Sequence, residues 1–365
     1  MKDIMYIGSF VPSEIEQKSK YISSAANRFH KNFISNLSKH DVYVRGVSYI
    51  CTPYENIWDD VQDDVFDEKV YFFRRKSRLV VALKSFFYVV LNMSKTNNIV
   101  VYNVDYVTWL VPIFAKLKKK RSILILADFS DDTCFDNSIR KIYAKVQGRA
   151  IQQYDVVIGL SERTKRFLKS SQQFLLIEGG IDRAFYDFFD EPKTPEKKKI
   201  VMYAGLLENV TGVDIWLRAL KEIQSDDVEF VFTGKGSLAN VVEEIAREDE
   251  RVKFYGSVPY ADYMKLLKKA DILVNPRNMD LPENQNNFPS KIMEYLATGN
   301  RIVSTKFVGW EKYVNVIDFV ESKSECIADG IVKALELNDN RYVEQREFAK
   351  RFLWENRKEI VEELL

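Results

Sequence analysis

The residues best able to do chemistry lie together in Asn286-Asn287-Phe288-Pro289-Ser290-Lys291-Ile292-Met293-Glu294-Tyr295-Leu296-Ala297-Thr298-Gly299. Asn287 suits a helix cap, and Pro289 suits the first turn, where its missing N–H would be unpaired in any case. Gly299 supplies the left-handed residue that ends the helix. Ser290, Lys291 and Glu294 are three or four residues apart and share one side, opposite Ile292, Met293, Tyr295 and Leu296. A hydroxyl, an ammonium and a carboxylate thus gather at a helix N-terminus, whose N–H groups and macrodipole attract phosphate. Glu294, one turn down, can accept two hydrogen bonds from a vicinal diol such as a ribose. The set suits a nucleoside diphosphate. Spacing alone is also met by an amphipathic surface helix with a satisfied polar stripe.

The chain that must position these groups has 365 residues, enough for two domains with separate cores. Its net charge of +1 gives no global field for nucleic acid. Three cysteines far apart point to a reducing compartment without a disulfide framework. No Cys/His cluster has metal-ligand spacing, and no strand leads into Gly-x-Gly-x-x-Gly, which argues against a nicotinamide-type site. The N-terminus is too soon interrupted for a signal peptide, and no apolar run reaches the ~20 residues that span a bilayer. The expected location is cytosolic, at the inner side of a membrane.

Apolar runs and turns predict strands at 4–8, 42–47, 99–102, 122–127 and 155–160, with helices over 23–38, 79–91 and 106–117. Strand, loop, helix is the start of a doubly wound α/β domain. Residues 191–199 are polar, charged and Pro-containing, and read as the linker between a first domain (1–190) and a second (200–345). The second domain repeats the pattern: strand 200–204, Gly205, helix 212–223, then strand 228–233 ending in Gly234-Lys235-Gly236. Lys235 could reach a phosphate there. The strand 122–127 runs into Asp128 and Asp131, and such a strand end should line a crevice. The segment 72–91 joins a basic cluster to an apolar helix, which fits either an anionic membrane surface or a core helix with basic flanks.

Phe288-Pro289-Ser290-Lys291-x-x-Glu294-Tyr295-Leu296-Ala297-x-Gly299 resembles the donor-site motif of bacterial family-4 (group 1) glycosyltransferases, retaining enzymes with the two-domain GT-B fold. The resemblance implies that Ser290 and Lys291 contact the donor diphosphate and that Glu294 holds the ribose hydroxyls. It implies two Rossmann-like domains facing a cleft, with a C-terminal helix (346–365) crossing back to the first, anchored by Trp354. It places Gly8 and Ser9 near the donor phosphates and Val258, after Gly256-Ser257, at the base. It adds Arg277 from the strand before the motif, Asn287, Phe288 and Pro289 from the motif's own loop, and Asp131, with Asp128 as the alternative, at the acceptor. The implied partners are a nucleotide-sugar and a glycan or polyprenyl-linked acceptor in surface polysaccharide synthesis, with no metal and no cofactor beyond the donor.

Three positions depart from the family pattern. Leu206 and Thr211 stand where relatives carry the Arg and Lys that neutralise diphosphate. Asn286 stands at the first Glu of the E-x7-E pattern, which touches the donor sugar. These departures, with the lack of a His beside Asp128 and Asp131 where relatives often carry one, favour a second class, a non-catalytic GT-B subunit binding a partner enzyme or glycan. A nucleotide-sugar epimerase or hydrolase is a third, on fold alone.

Overall fold

A computed structural model describes residues 2–18, 23–50, 70–74, 77–129, 132–135, 137–191, 193, 196–285, 288–337 and 341–364. The chain forms two compact units, Met1–Gly180 with Arg357–Leu365, and Ile181–Asn356.

The first unit runs β1 (Lys2–Gly8), α1 (Ser13–Lys18), α2 (Ser24–Lys39), β2 (Val42–Ile50), β3 (Val70–Arg74), α3 (Arg78–Asn92), β4 (Asn98–Tyr102), α4 (Val111–Leu117), β5 (Arg121–Leu126), α5 (Ser138–Ile151), β6 (Val156–Gly159) and β7 (Gln173–Leu176). The strands pair in parallel in the order β3-β2-β1-β4-β5-β6-β7. Parallel strands covered on both sides read as nearly continuous apolar runs, as Ile99–Tyr102 and Ile123–Leu126 do. Alternation within β1 divides the core. Met5 and Ile7 pack with Val81, Val111 and Ile151 of α3, α4 and α5, whereas the Tyr6 ring meets Phe33 of α2 at 5.4 Å.

The second unit follows the same plan: α6 (Arg183–Asp187), β8 (Lys199–Leu206), α7 (Val213–Glu222), β9 (Val228–Lys235), α8 (Ala239–Glu248), β10 (Val252–Phe254), α9 (Tyr260–Lys269), β11 (Ile272–Asn275), α10 (Lys291–Thr298), β12 (Arg301–Thr305), β13 (Asp318–Val320), α11 (Ser324–Glu336) and α12 (Tyr342–Lys350). Its parallel sheet has the order β10-β9-β8-β11-β12-β13. Trp216, fully buried on α7, packs against Phe230 and Phe232 of β9 at the centre of the core. In both units the strand order reverses once, between β1 and β4 and between β8 and β11. Ligands of open α/β sheets bind outside the carboxyl ends of strands at such a reversal.

Several expectations change. The polar stretch before α2 contains a helix of its own, α1, with Glu14 and Glu16 in its first turn. The helix predicted over 106–117 begins only at Val111. The Asp105 carboxylate takes the N–H groups of Val107 and Thr108 (2.8 and 3.1 Å), which holds 105–108 in a side-chain-capped turn instead.

The linker predicted at 191–199 lies inside the second unit, where Lys193 pairs with Asp271 at 2.6 Å and Lys199 opens β8. The boundary falls at 180/181, because Ile181 bridges to Leu353 and Arg346 bonds the Tyr186 carbonyl at 3.0 Å. The final helix is two helices. Trp354 sits in the break and its backbone N–H donates to the Ile181 carbonyl at 3.1 Å, within the second unit. α13 (Lys358–Leu364) belongs to the first unit, where Arg121 bonds the Glu363 carbonyl at 2.6 Å and Arg357 bonds the Gly179 carbonyl at 2.9 Å.

Candidate functional site

α10 buries Ile292, Met293, Tyr295 and Leu296 and leaves Lys291 and Glu294 half-buried on the other side. The helix starts two residues after Pro289. The Ile292 N–H closes a turn on the Pro289 carbonyl at 3.0 Å, and Ser290, exposed, takes the cap position without a side-chain cap bond. Phe288 anchors the entry by packing its ring on Phe307 at 5.4 Å. Gly299 ends the helix at φ 73°, the left-handed conformation that glycine adopts without cost. Asn286 and Asn287 lie outside the described residues.

The chemistry of α10 has a third member. Lys291 Nζ bonds Glu294 Oε2 at 2.9 Å and the Tyr263 hydroxyl at 3.1 Å, and it lies 4.4 Å from the centre of the Tyr263 ring. That hydroxyl in turn donates to Glu294. Tyr263 comes from α9 and is buried. The carboxylate is thus clamped by a phenol and an ammonium, which fixes its rotamer.

α10 is itself fixed to the strand reversal. The Tyr295 hydroxyl bonds both the N–H and the carbonyl of Ala204, near the end of β8, at 3.3 Å. Beside it, the end of β11 carries Arg277, whose Nε donates to Asn284 at 2.5 Å. Asn284 is fully buried and donates to the Val210 carbonyl at 2.6 Å. Gly212 closes the same loop at φ 77°. A side chain there would meet the Pro276 carbonyl at 1.8 Å, so only glycine lets the start of α7 approach β11 this closely. Arg277 therefore stands against the loop that bears Leu206 and Thr211. Leu206 is exposed, and the Thr211 hydroxyl is occupied by the Leu206 and Glu208 carbonyls at 2.6 and 2.7 Å.

Gly205 and Lys235 sit at the ends of β8 and β9 in adjacent registers. The glycines of this corner answer to packing: a Cβ on Gly234 would fall 1.7 Å from the Gly205 carbonyl. The Ser237 N–H, beyond Gly236, is taken by the Glu208 carboxylate at 2.7 Å, and the bonds from Ser237 hold that carboxyl below its usual pKa. This loop thus carries an internal anion. Val258 lies half-buried just ahead of α9 and its Tyr263.

At the reversal of the first unit, Gly8 is buried and a Cβ would meet His30 at 2.8 Å. His30 is 1% exposed and bonds the Tyr6 hydroxyl at 2.6 Å. Burial lowers its pKa to about 3, so it is neutral. The Ser9 hydroxyl donates to the Tyr49 carbonyl at 3.0 Å. Asp128 is exposed beyond β5, its N–H held by Asn103 at 3.2 Å. Asp131 lies outside the described residues. Among the described residues no group of three or more His, Cys, Asp or Glu side chains could hold a metal ion.

Sequence reasoning missed Tyr263 and Asn284. Tyr263 lies 31 residues from Glu294, and no local spacing reports such a pair. Asn284 sits in a polar run of the sequence, and nothing local marks it as the residue that is wholly buried.

Residues 198–336 match the family model of the group 1 glycosyl transferases. No curated protein matches the chain. Among solved structures, HepE of Anabaena in complex with UDP superposes with a TM-score of 0.73 at 17% identity, covering 100% of this chain and 99% of that one. Its complex with UDP-glucose gives 0.71 at 16% identity, covering 100% of each chain. Sucrose-phosphate synthase from Thermosynechococcus elongatus gives 0.73 at 15% identity, covering 100% and 99%. The lipopolysaccharide outer core galactosyltransferase WaaB, in its apo form, gives 0.65 at 14% identity, covering 100% of each chain. The chain thus has the fold of GT-B glycosyltransferases, and its residues 198–336 are similar to the group 1 glycosyltransferase domain.

Proposed function

We propose that this chain is a retaining family-4 glycosyltransferase. Its donor would be a nucleoside-diphosphate sugar, a UDP-sugar foremost and a GDP-sugar as the alternative. Its acceptor would be a glycan or polyprenyl-linked saccharide in surface polysaccharide synthesis, on the cytoplasmic side of a membrane. The observation that carries the reading is the Lys291–Glu294–Tyr263 cluster beside the β8/β11 reversal. The complexes of HepE with UDP and UDP-glucose, and the transferase named WaaB, support it.

In this reading the bond from the anomeric carbon to the diphosphate oxygen breaks, the acceptor oxygen bonds that carbon on the same side of the ring, and the acceptor's hydroxyl proton passes to the departing diphosphate. The departing diphosphate carries the developing charge. Lys291, the Ser290 hydroxyl, the first N–H groups of α10 and Arg277 would hold it, and fixed donors of this kind cost no reorganisation during reaction. Arg277 would take over from the cations missing at Leu206 and Thr211. Glu294, oriented by Tyr263, would receive the ribose hydroxyls. Asp131, with Asp128 as the alternative, would orient the acceptor hydroxyl. No metal is needed, because the cations and helix N–H groups do the work of one.

Calorimetry with UDP, GDP and ADP tests the donor. Binding of one of them, lost in Glu294→Ala, is expected. Lys291→Ala should lower turnover about 100-fold. Nucleotide affinity that ignores Glu294→Ala would remove the reading. The exposed Leu206 and the occupied Thr211 favour the non-catalytic subunit as the second reading. Nucleotide binding without donor hydrolysis or transfer would select it.

A further inference from the structure

The helices α3, α4 and α5 each follow a crossover in the same direction along the first unit's sheet, so they cover one side of it. All three feed a single core, through Val81 and Val89, Val111 and Ala115, and Ala150 and Ile151. Their outward sides therefore make one surface. On α3 the inward stripe is Val81, Ser85 and Val89. A helix wet on its other side should be polar there. Instead that side presents Leu79, Leu83, Phe87 and Leu91 at one-turn spacing, with Leu79 68% and Leu91 73% exposed.

α4 repeats the arrangement, with Trp109 in the turn before it and then Ile113 and Leu117, the last 74% exposed. α5 adds Ile139, 77% exposed, and Ile142. Side chains join the three. Phe86 of α3 meets Phe114 of α4 edge-on at 5.5 Å, and the Tyr143 phenol of α5 meets the backbone of Tyr106 in the turn before α4.

Charge selects the occupant. Across the chain 54 basic residues face 53 acidic ones. Yet α3 carries two basic residues, α4 one and α5 four, and none of the three carries an acid. The turn after α4 adds Lys118-Lys119-Lys120. We propose that this three-helix surface docks on a bilayer containing anionic phospholipid. Large apolar side chains in parallel rows, interfacial Trp109 and Tyr106, and flanking cations are the composition that settles at the headgroup boundary. Among the described residues no helix is long and apolar enough to cross a membrane, so the surface lies on the bilayer. The sequence pointed to the α3 share of this surface; the shares of α4 and α5 come from the fold.

Cosedimentation of the whole chain with phosphatidylcholine vesicles, with and without phosphatidylglycerol, tests the proposal independently of the donor site. Binding to the anionic vesicles alone is expected, weakened at about 0.5 M salt. Arg140→Gln with Lys141→Gln should weaken it about 30-fold. Leu83→Ser with Phe87→Ser and Leu117→Ser should weaken it more than about tenfold. If the apolar variant does not fold, the charge variant decides. No binding of the wild type to anionic vesicles, or binding that the folded variants leave unchanged, overturns the proposal. So does a wild-type dimer in sedimentation velocity that the apolar variant dissolves, since a second copy would then own the surface.

Discussion

The Tyr263 phenol donates its proton to the carboxylate of Glu294, across 31 residues of sequence, while accepting from Lys291. Removing that phenol takes one clamp off the Glu294 carboxylate and gives it more rotamers. Tyr263→Phe is expected to weaken nucleotide binding about fivefold, the worth of one ordinary hydrogen bond. Calorimetry with UDP and with uridine should show the loss in both, since the ribose is common to them.

Arg277→Ala should act on the phosphates instead. Its expected signature is a loss of about tenfold in UDP affinity with uridine affinity unchanged, since a charge-assisted contact contributes more than a neutral one. Equal losses for both ligands would mean that Arg277 only braces the Asn284 loop.

Glu294→Gln keeps the shape of the side chain and its bond to Tyr263 but removes the charge. Affinity for UDP should fall about tenfold or more, because hydrogen bonds from ribose to a carboxylate outweigh those to an amide. The melting temperature should move little, since the group is half-buried on the outer side of α10.

His30 predicts a pH dependence of stability. Its pKa is lowered to about 3 in the folded chain, from an ordinary value near 6.5, because burial penalises the cation. Below pH 6.5 the unfolded chain takes up a proton that the folded chain refuses. Stability therefore falls with acid through the window from pH 6.5 to about 3, by up to about 1.4 kcal/mol per pH unit from this residue. In His30→Leu the stability near neutrality should drop, through loss of the Tyr6 bond. Its slope between pH 6 and pH 4 should be shallower than the wild type's by about one proton. Parallel urea-unfolding curves across this range would contradict the assignment.

How much of this was legible beforehand depended on range. β4 falls within a residue of where its apolar run placed it, and α2, α3 and α7 fall within a residue or two, because burial of one stripe leaves a local period. Lys291 and Glu294 share a side by helix geometry alone, and the structure joins them at 2.9 Å. Tyr263, Asn284 and the Gly212–Pro276 contact join distant segments, which no window over the sequence can see. The boundary was misplaced for the reverse reason. Residues 191–199 look like a linker in composition, but Asp271, from the far side of the second unit's chain, takes Lys193. The early start predicted for α4 failed on one residue, Asp105, whose carboxylate supplied bonds that a helix would have made.

The first unit is sewn from two separated pieces of the chain, since α13 supplies Ile360 and Leu364, both fully buried, to a sheet that ends near residue 176. During synthesis the early strands must wait for some 180 further residues before this patch can close. A 1–180 fragment should therefore remain sticky and aggregation-prone, and adding a 357–365 peptide in trans should quieten it. Maturation of the amino-terminal half is in this way timed by translation of the other half.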